Sequence, residues 1–266
     1  MAACQLPEGP HLPSHFSGRG DPQVTLSLLW GLPRRVKPGR KPGLSPEVIG
    51  AAAMSVADTS GLEALSMRAL GEKLGVSAMS LYRYVPGKPE LLDLILELAY
   101  AELPQELPAG GWRDRLRRVA RDTWDLYLRH PWMLEVSMYR ASLGPYSIYK
   151  YERELSAVAD AGLTDLEMDL VVATVSDHVR GAASRAVEAR TAGETTGRSD
   201  EEWWALHSGL LQQLVDPNVF PLAVRIGAKA GAEYGATTDP ALAFEFGLER
   251  LIEGIQAFLR SRPLES

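Results

Sequence analysis

Residues 66 to 85 read Ser-Met-Arg-Ala-Leu-Gly-Glu-Lys-Leu-Gly-Val-Ser-Ala-Met-Ser-Leu-Tyr-Arg-Tyr-Val. Written as a helix, the second half of this run presents Ser77, Ala78, Met79, Ser80, Tyr82 and Tyr84 on its outer side. Such side chains can meet base edges, thymine methyls and phosphates, and the small and hydroxyl residues at the start permit close approach to a major-groove floor. A helix that served only as protein surface would more often show Glu and Lys there. Tyr84 is open to two roles, a core aromatic or a phosphate ligand.

Bond-making chemistry finds no matching pattern. The chain has no G-x-G-x-x-G, G-x-S-x-G, H-E-x-x-H or P-loop, and its five His are scattered without metal-ligand spacing. The carboxylates of Glu201 and Glu202 stand at a helix start, where they complement the dipole. Cys4 is the single cysteine, which excludes an intramolecular disulfide and a multi-thiolate metal site and fits a reducing cytoplasm. No enzyme, cofactor or metal is expected.

The elements that position these residues follow from caps and breakers. Ser66 caps a short helix through Leu74, Gly75 supplies a positive-φ turn, and Ser77 caps a second helix to about Val85. Leu70, Leu74, Val76 and Leu81 should pack on a preceding helix that starts at Ser45-Pro46 and carries Ile49, Ala52, Ala53 and Val56. Pro86 and Gly87 break the pattern, and Leu91, Leu92, Ile95 and Leu98 stripe a fourth helix that ends before Pro104. Longer helices are expected over residues 112–129, 131 to about 141, 146–161, 164 to about 190, 201–215 and 240–260, two of them opened by the capping boxes Thr164/Glu167 and Ser199/Glu202. Residues 189–199 read as a mobile loop, and no alternating strand pattern occurs, so the expected fold is all-α.

Charge is unevenly placed. The net charge is −6 over 266 residues, yet Arg34 to Lys88 holds nine basic side chains against four acidic ones, giving +5 on that segment and −11 elsewhere. A basic segment on an acidic body suits a nucleic-acid reader. Arg34, Arg35, Lys37, Arg40 and Lys41 lie among Pro and Gly just before the first expected helix, and could either follow a DNA backbone or merely solubilise a tail. The apolar run Val24–Leu32 is too short to cross a bilayer, so neither a membrane anchor nor a signal peptide is expected.

Leu65-Ser-Met-Arg-Ala-Leu70, Leu74-Gly-Val76, Leu81-Tyr82, Val85 and Lys88 followed by Leu91-Leu92-Asp93 resemble the DNA-binding domain of the TetR family of bacterial regulators. Phe244 to Glu249 with Gly254 is similar to the last helix of that family's tetracycline-repressor-like C-terminal domain. The resemblance implies base contacts from Arg68, Ala78, Met79 and Ser80 and phosphate contacts from Tyr82, Tyr84 and Lys88. It also implies a homodimer on a double-stranded palindromic operator, repression, and release by an unidentified small-molecule effector that shifts the fourth helix. An activator, or a regulator without an effector, fits the same residues. The implied layout is a disordered arm over 1–43, basic at 34–41; a helix-turn-helix domain over 44–103; and a ligand-binding and dimerisation domain over 109–262.

Small residues in the two dimer-forming helices (Gly181, Ala182, Ala183, Ala186, Gly247, Gly254) suit close helix approach, either to a second copy or within the subunit. Trp124, Trp132, Met138, Tyr139 and His178 are candidates for the effector pocket, with ordinary core packing as the competing reading. The family's drug-binding histidine falls near Pro104, so a magnesium-bound drug is not expected.

Overall fold

The computed structural model describes residues 15–31 and 43–262. They are overwhelmingly helical and divide into two compact units, one of residues up to Pro104 with Arg129–Glu152, the other of Gln105–Leu128 with the chain from Arg153 onward. Packing therefore groups Arg129–Glu152 with the helix-turn-helix rather than with the C-terminal helices.

The first unit opens with a segment expected to belong to a disordered arm. Residues 15–31 instead form a two-residue strand, β1 (His15–Phe16), and a helix, α1 (Pro22–Trp30). Asp21 caps α1 by accepting the N–H groups of Gln23 and Val24, and Leu29 is fully buried. This order leaves little sign in the sequence for a physical reason: α1 buries only Thr25 and Leu29, too few for a periodic stripe. Arm residues 1–14 and 32–42, the basic stretch 34–41 included, lie outside the described residues.

Helix α2 (Pro46–Ser60) starts where expected, Ser45 capping Val48 N–H at 3.4 Å, and buries Ile49, Ala53 and Ala57. Then come α3 (Met67–Leu74), α4 (Ala78–Tyr82) and α5 (Lys88–Tyr100). Gly50 lets α2 lie close on α5, since a Cβ there would stand 2.5 Å from Leu98 Cδ1. Further along, α6 (Trp112–Arg129) is followed by a 3₁₀ turn, Pro131–Glu135, and a strand, β2 (Val136–Ser137), where a continuous helix to about residue 141 was expected. β2 pairs in parallel with β1, His15 opposite Val136. The boundary between the units falls within α7 (Pro145–Val158).

The second unit is built from α6, the end of α7, α8 (Asp165–Thr196), α9 (Asp200–Leu214), α10 (Pro221–Tyr234) and α11 (Pro240–Arg260). Its core joins Val172, Val175, Val179 and Ala183 of α8 to Phe244, Leu248 and Ile252 of α11. Contrary to the expected loop, α8 runs on to Thr196. The hydroxyls of Thr191, Thr195 and Thr196 donate to carbonyls one turn back at 2.7–3.1 Å, so a polar run satisfies itself in a helix until Gly197 ends it at φ 70°. Helix α10 was not expected at all. Its Gly231 accepts the Trp204 ring so closely that a Cβ would lie 2.0 Å from it. Among the described residues, no helix is long and apolar enough to cross a membrane.

Candidate nucleic-acid interface

The helix-turn-helix is closed by backbone geometry at three residues. Ser66 Oγ accepts Ala69 N–H at 3.1 Å to start α3, Gly75 at φ 68° ends it, and Ser77 Oγ accepts Ser80 N–H at 3.3 Å to start α4. Gly71 is the point of contact. Its carbonyl accepts Val76 N–H at 2.9 Å, and a Cβ on it would sit 2.7 Å from Val76 O, so α3 can touch the turn only as glycine. Leu70 and Leu81 are fully buried, whereas Leu74 and Val76, expected in the core, are half-buried at the rim.

The residues singled out for DNA contact lie on or beside α3, α4 and the start of α5, and none of them is fully buried. The Met79 side chain is 74% exposed and that of Tyr82 44%, while Ala78, Ser80 and Tyr84 are half-buried. Ser77 is exposed, but its hydroxyl is engaged with the Ser80 hydroxyl at 2.9 Å as well as with the helix start. Arg68 lies in solvent with only an exposed i,i+4 partner, Glu72, at 3.1 Å. Lys88, also exposed, reaches the Leu62 carbonyl at 3.4 Å. Neither contact is strong enough to hold either cation away from a phosphate.

Sequence reasoning missed the polar face of α5. Glu90, Asp93 and Glu97, spaced three and four residues apart, are all buried. Asp93 accepts Ser17 O–H at 2.9 Å and Gly18 N–H at 3.0 Å; burial pushes its carboxyl above the usual range, those donors oppose the shift, and Glu90 adds to it. Glu97 accepts Ser142 O–H at 2.9 Å and the N–H groups of Tyr146 and Ser147 at 2.7 and 3.1 Å, thereby capping α7. Gly144 makes room for that carboxylate.

The five pocket candidates do not form one group. Trp132, in the first unit, is a core residue whose indole donates to Asp58 at 2.7 Å, beside His130, which lies between Asp58 and Glu102. Met138 accepts the Tyr100 hydroxyl at 2.9 Å. Tyr139 is 97% exposed, which rules out an enclosed role: no backbone pattern told residues 138–140, outside any helix, which side chain would turn inward. Trp124 and His178 do share a neighbour in the second unit, Phe244, with ring centroids at 4.3 and 5.8 Å, and His178 Nε2 meets the Phe244 carbonyl at 2.9 Å. An apolar cavity of about 470 Å³ lies between α9 and α10, lined among others by Trp204, Leu211, Val224 and Gly227.

Two family models match this chain: "Bacterial regulatory proteins, tetR family" over residues 49–95, which is α2 to α5, and "Tetracyclin repressor-like, C-terminal domain" over 103–259. The chain belongs to the TetR family. Among its relatives, the HTH-type transcriptional repressor DrrR1 of Streptomyces coeruleorubidus is 38% identical over 252 residues, 94% of this chain and 91% of that protein. The HTH-type transcriptional repressor Rv1353c of Mycobacterium tuberculosis is 27% identical over 79% of each chain. The TetR family protein ActR of Streptomyces coelicolor, solved in complex with actinorhodin, matches with a TM-score of 0.68 and 26% identity over 82% of this chain and 99% of that one. As a TetR-family member the chain is a DNA-binding transcription regulator. The start of α2 and everything before it, residues 15–31 included, lie ahead of both matched ranges.

Proposed function

We propose that this regulator binds a palindromic operator as a homodimer, represses transcription there and is released by a small organic effector. The observation that carries the reading is the outer face of α4, where Met79 and Tyr82 stand exposed on a motif whose other side is buried. In this reading Arg68, Ala78, Met79 and Ser80 read bases, with Ser77 at the groove floor, and Tyr82, Tyr84 and Lys88 hold phosphates. Arg34, Arg35, Lys37, Arg40 and Lys41 follow the backbone beside them.

Dimerisation is assigned to the open faces of α8 and α11. Leu166, Leu170, Leu242, Phe246 and Phe258 are between 47% and 78% exposed in the single chain, and a Cβ added at Gly181 or Gly254 would meet nothing within 4 Å. Two such faces pair into a four-helix interface, and a two-fold dimer matches a palindrome. Repression is the role carried in the names of DrrR1 and Rv1353c, and ActR was solved holding an organic molecule. Trp124 and His178 are the effector-pocket candidates of the second unit, and because both stack on the buried Phe244 ring an effector there has to open that stack. A cytoplasmic location puts the protein with its DNA.

Footprinting on the DNA flanking the gene tests the reading. A protected, two-fold symmetric site is expected, with transcription from the neighbouring promoter falling when protein is added. A rise in transcription would overturn repression, and the absence of any protected site would overturn operator binding.

A further inference from the structure

The segment 15–31 is tied to the rest of the first unit at several places, among them His15 Nε2 to Glu63 Oε1 at 3.2 Å. Ser17 O–H and Gly18 N–H donate to Asp93 on α5; Ser17 N–H donates to Ser137 O at 3.1 Å beside the β1–β2 pair; Trp30 Nε1–H donates to Leu143 O at 3.1 Å; and Leu29 is fully buried as α1 packs on α5. One short stretch of chain thus joins α5 to residues 136–143. The same α5 begins at Lys88, six residues after α4 ends, and packs on α2, which packs on α3 and through it on the recognition helix α4.

We infer, building on the proposed operator binding, that residues 15–31 are a built-in strap that holds α5 in its DNA-competent position, with Asp93 as the positioning residue through which the strap acts. Asp93 is wholly buried and its acceptors are satisfied by the strap, so α5 cannot shift along residues 136–143 without stranding a buried carboxylate or breaking the strap's bonds. A regulator whose α5 samples several positions binds its operator with an affinity reduced by the fraction that is competent. Glu97, held by Ser142 and the first amides of α7, ties the next turn of α5 to the same stretch, so strap and α7 grip one helix from two places.

The test compares Asp93→Ala, Asp93→Asn and Trp30→Ala with the wild type by amide hydrogen exchange of α5 in the free protein and by operator affinity across a salt series. Asn keeps an acceptor for Ser17 and Gly18 and should behave as wild type. Asp93→Ala and Trp30→Ala should exchange faster over residues 91–99 and bind operator about tenfold more weakly, within the range of ordinary coupling between sites. Their dependence of log affinity on log salt should keep the wild-type slope, because no phosphate contact is lost. Unchanged α5 exchange in both variants would overturn the strap, whatever the DNA result. So would weakened binding with a shallower salt slope, which would make the segment a direct DNA ligand. Should Asp93→Ala fail to fold, Trp30→Ala, altering a half-exposed side chain, decides alone. Faster exchange in the variants of a protein whose wild type bound no operator would refute the operator reading and leave the strap's grip on α5 supported.

Discussion

Gly71 is where the helix-turn-helix is most sensitive to a single atom. A Cβ there meets the Val76 carbonyl at 2.7 Å, and backbone cannot swing aside as a side chain can. Gly71→Ala should cost about 1–3 kcal/mol, as overpacking does, and a thermal melt will show it as a lowered midpoint. Lys88→Ala should leave the fold intact and weaken every operator alike, reducing the salt slope by about one. Asp93 makes a pH prediction. Its folded carboxyl is raised by burial, so the folded state holds a proton more tightly than the unfolded chain, and stability falls as pH rises through the carboxylate range toward the folded value. Asp93→Asn should remove that decline in denaturant melts taken across pH; an unaltered decline would mean that another group causes it. The bounds of α3 and α4, and with them the exposure of Met79 and Tyr82, were legible in the sequence because Ser66, Gly75 and Ser77 fix where each short helix starts and stops. Asp93 and Glu97 were not, since the groups they hold lie 45 to 76 positions away and leave no local trace.

At the scale of elements, α8 and α11 carry the second unit. Arg117 and Arg121 of α6 clamp Glu249 and Glu245 of α11 through paired bonds of 2.6–2.9 Å. The guanidinium hydrogen bonds hold both carboxyls below their usual range. The stabilisation from these pairs is present at neutral pH and is lost as pH falls through the carboxylate range, so Glu245→Gln with Glu249→Gln should flatten the acid limb of a stability profile. The outer face of α11 makes a separate prediction: Phe246→Glu should turn the dimer into a monomer by light scattering and weaken operator binding with it, and an unchanged mass would remove this face from the interface. Most helices could be read from caps and 3.6-residue spacing. The exceptions have identifiable causes: α8 extends through threonines that satisfy their own hydroxyls, α10 has small residues where a stripe was sought, and α1 is anchored by tertiary bonds in place of a hydrophobic face.

Over the whole chain, the family matches, the two units and the uneven charge describe a regulator with a DNA-reading unit and a second, helical unit. The C-terminal family model starts at residue 103, while packing assigns residues 129–152 to the DNA-reading unit. That split was invisible beforehand because it is made by buried polar contacts such as His130 with Asp58 and Glu97 with Ser142, between segments far apart in sequence. The central claim is that the outer face of α4 selects the operator, and selection of preferred sites from a randomised DNA pool by the wild type and by Ala78→Gln tests it most directly. The variant, gaining a side-chain amide at the position proposed to face the bases, is expected to change preference at matching positions in both half-sites and to keep their spacing. Identical preferred sequences for the two proteins would contradict it.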